Sequence, residues 1–323
     1  MPYHAPALRR LLMLCVLLCL PLAAEAQRSV LVVNSGEASL SVLDVTTHAE
    51  TARIPVLREP HHWVLTPDRH ELIIGDTAAN ELIFLDPESF AIRRRLTIPD
   101  PYQMGFTPDG SKLVVAGLAR QQVDVYEAGS YRLLHRFVMK TMPSHIDFSP
   151  DSRVAFVSLQ GTNKAAALDL MAMKELWVTQ VGPAPAGVMW LGGRVLVAIM
   201  GADYVSVLDP ASGAVIGRIQ AGKGAHQLFL SPDRRTLFIN SRVDSTITAV
   251  NAQSFAVERT YRVPGGPDDL IFAPDGRIWT TLRFAAKVGI LDLRTGAVET
   301  IPVGRSPHGI YIKGAINSGH GGG

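Results

Sequence analysis

Cysteine is the first thing this sequence has little of. The chain holds two, Cys15 and Cys19, and both lie in an apolar N-terminal stretch that reads as a cleaved leader. The mature chain is then expected to carry no disulfide, no thiolate metal site and no cysteine nucleophile, so packing alone must hold it together. Charge of one sign is also missing. Charged residues make up 19%, the net charge is +2 and no Lys/Arg run forms a basic stripe, which excludes a dedicated nucleic-acid binder. Beyond the leader there is no helical periodicity. The apolar run at 11–22 is too short for a comfortable transmembrane helix, so none is expected after cleavage. There is no G-x-S-x-G elbow, H-E-x-x-H pair, P-loop or dinucleotide fingerprint. The absence of Cys-x-x-Cys-His excludes a covalently attached c-type haem.

The leader itself has the usual parts. Arg9 and Arg10 precede the apolar run, and Ala24-Glu25-Ala26 is a small-x-small cleavage site. Neither cysteine follows the small residue of a lipoprotein box; Cys19 follows Leu18. Residues 1–26 are therefore expected to be a signal peptide cleaved near Ala26. Residues 27–314 form the domain, and the Gly-rich 315–323 a flexible tail. The destination is periplasmic, or the protein is secreted.

One phrase recurs along the mature chain. Residues 143–151 read PSHIDFSPD, 60–68 PHHWVLTPD, 101–110 PYQMGFTPDG, 225–233 AHQLFLSPD and 267–276 PDDLIFAPDG. The turn prolines at 67, 108, 150, 232 and 274 are 41 or 42 residues apart, except for one double gap. That gap holds a degenerate copy at 185–193, and a closing copy, PHGIYIKG, follows at 307–314. A fixed period of this length marks a repeat architecture.

Within one period, residues 102–106, 112–116, 122–126 and 131–138 read as four short strands. The Pro-Asp-Gly turn joins the first two. An acidic turn follows the third, at Asp44, Asp86, Glu127, Asp169, Asp209 and Asp292 in successive copies. A four-stranded antiparallel sheet cannot bury both faces alone, whereas sheets stacked around an axis can. The fold class is thus all-β, a β-propeller. First strands starting near 60, 101, 143, 185, 225, 267 and 307 make seven blades. The last copy has only its first strand, which the N-terminal strands at 29–33, 39–44 and 51–56 complete. Trp63, Trp177, Trp190 and Trp279 sit in strand patterns and are expected between blades rather than at a stacking platform.

The repeats resemble those of the YVTN family of exported β-propeller proteins. The resemblance rests on Val30-Leu31-Val32-Val33-Asn34-Ser35 with Leu40-Ser41-Val42-Leu43-Asp44, on Tyr204-Val205-Ser206-Val207-Leu208-Asp209, and on Val303-Gly304-Arg305-Ser306-Pro307-His308-Gly309. It covers the mature chain and implies the fold. Related propellers include lactone hydrolases, haem-d1 propellers and the propeller of nitrous oxide reductase, so the resemblance chooses no activity.

Function must come from sites. One residue after the Pro position, the copies read His61, Tyr102, Ser144, Ala186, His226, Asp268 and His308. The next residue reads His62, Gln103, His145, Gly187, Gln227, Asp269 and Gly309. Ring symmetry would bring these pairs to the rim of the axial channel. His61, His62, His145, His226 and His308 are candidate ligands for copper or another transition metal. Asp268 and Asp269 would orient them or supply oxygen ligands. Regular strand alternation predicts that at most one of His61 and His62 faces the site, unless the strand entry is irregular. Arg242 and Arg283 occupy matching loop positions and would clamp an anion or the propionates of a haem-d1-like group, with Arg120 similar by type. Tyr102, Gln103 and Gln227 complete the candidate ligand-binding set.

Three functions fit. The first is an exported binding protein or scaffold, a monomer that receives a protein or small-molecule partner on its loop face. The second is a metal- or haem-d1-like cofactor-binding protein. The third is a lactonase-type hydrolase with His226 or His308 and Asp268 as general acid and base. The non-enzymatic reading has the least to explain, and in it the histidines only cap backbone groups or face channel water.

Overall fold

The computed structural model describes Met1 and residues 29–313. The expected leader, its cleavage point, both cysteines and the tail lie outside the described residues. Seven four-stranded antiparallel sheets stand around one axis. Blade 1 runs Pro60–Leu65, Leu72–Asp76, Glu81–Leu85 and Ile92–Thr97, from the axis outward. Blade 2 runs Gln103–Phe106, Lys112–Gly117, Gln122–Glu127 and Leu133–Val138, within two residues of the expected bounds. The degenerate copy forms a full blade from Pro185–Leu191 onward. Blade 7 joins both ends of the chain. Pro307–Ile312 pairs with Ser29–Asn34 in the register Val30↔Ile312, Leu31↔Tyr311, Val32↔Ile310. Among the described residues no helix is long and apolar enough to cross a membrane.

Side-chain chemistry builds the turns. After the first strand, the hydroxyl of Thr66, Thr107, Ser149 or Ser231 donates to Oδ1 of Asp68, Asp109, Asp151 or Asp233, each at 2.6 Å. After the third strand, Oδ1 of Asp44, Asp86, Asp169, Asp209 and Asp292 accepts two backbone N–H groups. Glu127, one carbon longer, instead accepts from the Ser130 hydroxyl at 2.6 Å.

The core is divided into seven apolar layers, one between each pair of neighbouring blades. Trp63 fills the layer between blades 7 and 1, and Trp279 the one between blades 6 and 7. Trp177 and Trp190, partly buried, pack between blades 3 and 4. Each fully buried Val, Leu, Ile or Phe contributes about 1.5–3 kcal/mol, so stability resides in these layers. The outermost strands are polar and exposed, as in Ile92–Thr97.

The start of the innermost strand is irregular. Pairing with the second strand slips between Pro60 and Trp63, Pro143 and Ile146, Pro185 and Val188, Ala225 and Gln227, and Pro267 and Leu270. Blade 7 slips opposite Pro307. A bulge re-aims side chains that strict alternation would send to opposite faces.

Candidate functional site

The bulges turn the expected channel rim into a packed plug. His61, His62, His145, His226 and His308 are each only 1–3% exposed, and Asp268 1%. Both His61 and His62 join the cluster, where a regular strand would send at most one, because the strand slips where they lie. Around the axis, ring centres are 5.2 Å apart for His62–His145, 5.3 Å for His145–His226, 6.2 Å for His226–His308 and 4.4 Å for His308–His62. His61 packs on His308 at 3.9 Å and on Tyr102 at 4.2 Å. The imidazoles thus come from blades 1, 3, 5 and 7, and Tyr102 from blade 2.

Asp268 anchors one side. Its Oδ2 lies 2.5 Å from His308 Nδ1 and 3.2 Å from Arg283 Nη1. Its Oδ1 accepts from Arg242 Nε at 2.7 Å and also from Arg242 Nη2. His226 Nδ1 is 2.9 Å from the same Oδ1, off the ideal hydrogen-bond line. Burial alone would raise the Asp268 carboxyl, but Arg242, His308 and His226 outweigh it and hold the group well below the usual carboxylate range. An ionised carboxylate only accepts, so His308 must carry its proton on Nδ1 and leave Nε2 bare. Arg283 Nη1, 2.9 Å from that same Nδ1, therefore serves the carboxylate and not the ring. His308 Nε2 in turn lies 3.1 Å from His62 Nε2, whose N–H donates to it.

Burial keeps the rings neutral. It pulls His61 and His145 well below the usual imidazole value, with the neighbouring histidines and then the arginines adding to the effect. Burial, then Arg242, lowers His226 to about 4; burial, against Asp268, lowers His308 to about 3. Neutral imidazole is the metal-binding form. His145 Nδ1 meets the Ser144 hydroxyl at 3.2 Å, while His145 Nε2 and His61 Nδ1 are buried without a hydrogen-bond partner. Donor atoms of His61, His62 and His308 all lie within 4.8 Å of one another. Among the described residues these three form the group able to hold a metal, with His145 and His226 packed beside His62 and His308. The rings pack too closely for a haem-type macrocycle to lie among them.

Other expected site residues go elsewhere. Gln103 Oε1 accepts from the Ile146 N–H of the next blade at 3.0 Å. Asp269 accepts from the N–H groups of Leu270 and Ile310, and burial pushes its carboxyl well up. Gln227 packs over Gly187, where a Cβ would come within 2.7 Å of its Oε1. Gln103 and Asp269 thus bond to the neighbouring blade, and Gln227 packs against the backbone of blade 4. Arg120 is exposed and takes no part through its side chain; its backbone N–H donates to Asp100. Sequence reasoning missed Met200, whose Sδ lies 3.7 Å from Arg242 Nη1. Met200 follows the second strand of blade 4 as Arg242 and Arg283 follow theirs, so aligning the periods would have found it.

The family described as YNCE-like beta-propeller matches residues 13–316. No curated protein matches. Among solved structures, the chain is similar to the periplasmic gluconolactonase PpgL of Pseudomonas aeruginosa, at 19% identity and a TM-score of 0.71, covering 90% of this chain and 99% of that one. It is similar to the dihydro-heme d1 dehydrogenase NirN in complex with DHE, at 14% identity and a TM-score of 0.65, covering 88% and 74%. It is also similar to Kuenenia stuttgartiensis hydrazine synthase, at 15% identity and a TM-score of 0.64, covering 84% and 94%. At these identities the likeness is one of fold alone.

Proposed function

The chain belongs to the YNCE-like β-propeller family, and from that premise we propose that it is an exported binding protein whose axial plug takes a transition-metal ion, copper first. The observation that carries this reading is the convergence of His61, His62 and His308 donors within 4.8 Å in a fully buried site. Two nitrogens on one tetrahedral ion, with bonds of about 2.0–2.1 Å, are about 3.3 Å apart, and their ring centres about 5 Å. The His62–His308 nitrogens at 3.1 Å match the first spacing, and the ring centres of the three ligands, 3.9, 4.4 and 4.8 Å apart, lie inside the second. Ring rotation would close the remaining gap to His61. The Asp268–His308 pair is the carboxylate–imidazole arrangement that fixes a ligand's tautomer.

Bound metal would supply Lewis acidity or one-electron chemistry. This chain's part is to hold bare imidazole nitrogens, exclude water and move one proton, since the His62 Nε2 proton must leave or shift to Nδ1 before that nitrogen can ligate. An all-imidazole donor set suits copper, zinc, iron or nickel alike, and Arg242 and Arg283 against one Asp268 penalise a divalent charge more than a monovalent one, which favours copper as Cu(I). Export to a periplasm belongs to the same reading and rests on the N-terminal sequence. The lactone-hydrolase reading has less support, since a substrate would have to reach bases that are almost wholly covered.

The test is elemental analysis of the full chain after copper and zinc challenge. Wild type should carry about one ion per chain. His62→Ala and His308→Ala should lose it, and His70→Ala, on the exposed surface, should keep it. Wild type that stays metal-free would sink the reading.

A further inference from the structure

Arg242 and Arg283 do not use their guanidinium groups alike. Arg242 spends its Nε–Nη2 edge on Asp268, and its Nη1 meets only the Met200 thioether. Arg283 touches Asp268 and His308 through Nη1 alone. Its Nε and Nη2, the edge that grips a carboxylate with two parallel hydrogen bonds, have no partner among the described residues. The side chains are 13% and 23% exposed, so Arg283 reaches solvent further than Arg242. Two guanidiniums stand against the one carboxylate they pair with, Asp268. One positive charge in a largely desolvated pocket is therefore uncompensated.

We propose that the Nε–Nη2 edge of Arg283, with Arg242 beside it, is a binding site for a small planar monoanion of the carboxylate class at the mouth of the axial plug. One excess charge matches a monoanion better than a dianion, and the flat edge matches two coplanar oxygens. The site stands on the arginines alone and goes beyond the metal reading. An anion seated there would lie beside the Arg283 group whose Nη1 touches His308.

The probe is sodium formate, titrated calorimetrically into metal-free full-length protein at constant ionic strength, with sodium sulfate in a parallel arm. Wild type should bind formate saturably and more tightly than sulfate. Arg283→Gln should weaken formate at least about tenfold, the loss of one charge-assisted contact. Arg283→Lys, which keeps the charge and loses the planar edge, should also weaken it. Equal affinity in wild type and Arg283→Gln would overturn the proposal, as would full affinity in Arg283→Lys or equal binding of both anions. Thermal unfolding of each variant checks that the ring is intact. Because no metal is present, failure here leaves the metal reading standing, and failure of the metal test leaves this one standing.

Discussion

Asp268 bears more than any other side chain near the axis. Among the described residues it alone is ion-paired with both arginines, and it sets the tautomer of His308. Removing its charge while keeping its shape should leave two nearly buried cations facing each other. Asp268→Asn is expected to cost about 3–5 kcal/mol, read as a lower urea midpoint. An unchanged midpoint would mean that the arginines are solvated without it. At this scale the sequence was half legible. The residue types and their ring placement followed from the period, and Asp268 was recognisable as a group that orients histidines. What strict alternation hid was that His61 and His62 both turn inward, because a slip of one residue in a strand leaves no mark in composition. It hid equally that Gln103, Gln227 and Asp269 serve neighbouring blades.

The blade was the most legible element. Its turns are written in short-range chemistry, the Ser/Thr-Pro-Asp and Asp-x-x patterns, so strand bounds fell within two residues where they were read, and the decayed copy at 185–193 still gave its start at Pro185. Contacts between blades were not legible, because they join residues 43 apart with no shared local signal. One of them has a measurable pH dependence. Asp147 of blade 3 accepts from the Trp190 N–H of blade 4 at 2.6 Å, and burial raises its carboxyl to about 6. Its folded pKa lies above the unfolded value. Below about pH 4 both states are protonated, and between about pH 4 and 6 the unfolded chain releases its proton first. Stability contributed by the neutral acid is therefore lost as pH rises through that window, by up to about 3 kcal/mol, less what its partial exposure screens. Asp147→Asn can still accept from Trp190 and should flatten the dependence. Denaturant melts at pH 4 and pH 7 check this, and an unchanged slope would contradict it.

At the scale of the whole molecule, seven layers carry the stability and each blade depends on two neighbours. Deleting 307–313 removes the innermost strand of blade 7 and exposes Val30, Leu31 and Val32, now 0–1% accessible. The deletion should abolish cooperative unfolding, seen by near-ultraviolet circular dichroism. A sharp transition near the wild-type midpoint would show that six blades suffice.

The split construction of blade 7 reaches further than closure. His308 lies on the last strand and His62 on the first strand of blade 1, 246 residues apart in sequence and 3.1 Å apart in space. That contact crosses the seam where the two ends of the chain meet. An ion held between the two rings would act as a clasp on that seam, and loading it would be felt as resistance to opening the ring. By mass action, occupancy and closure become one equilibrium. The same pair of rings that receives a ligand would then report, through the protein's lifetime against proteolysis, whether it has one.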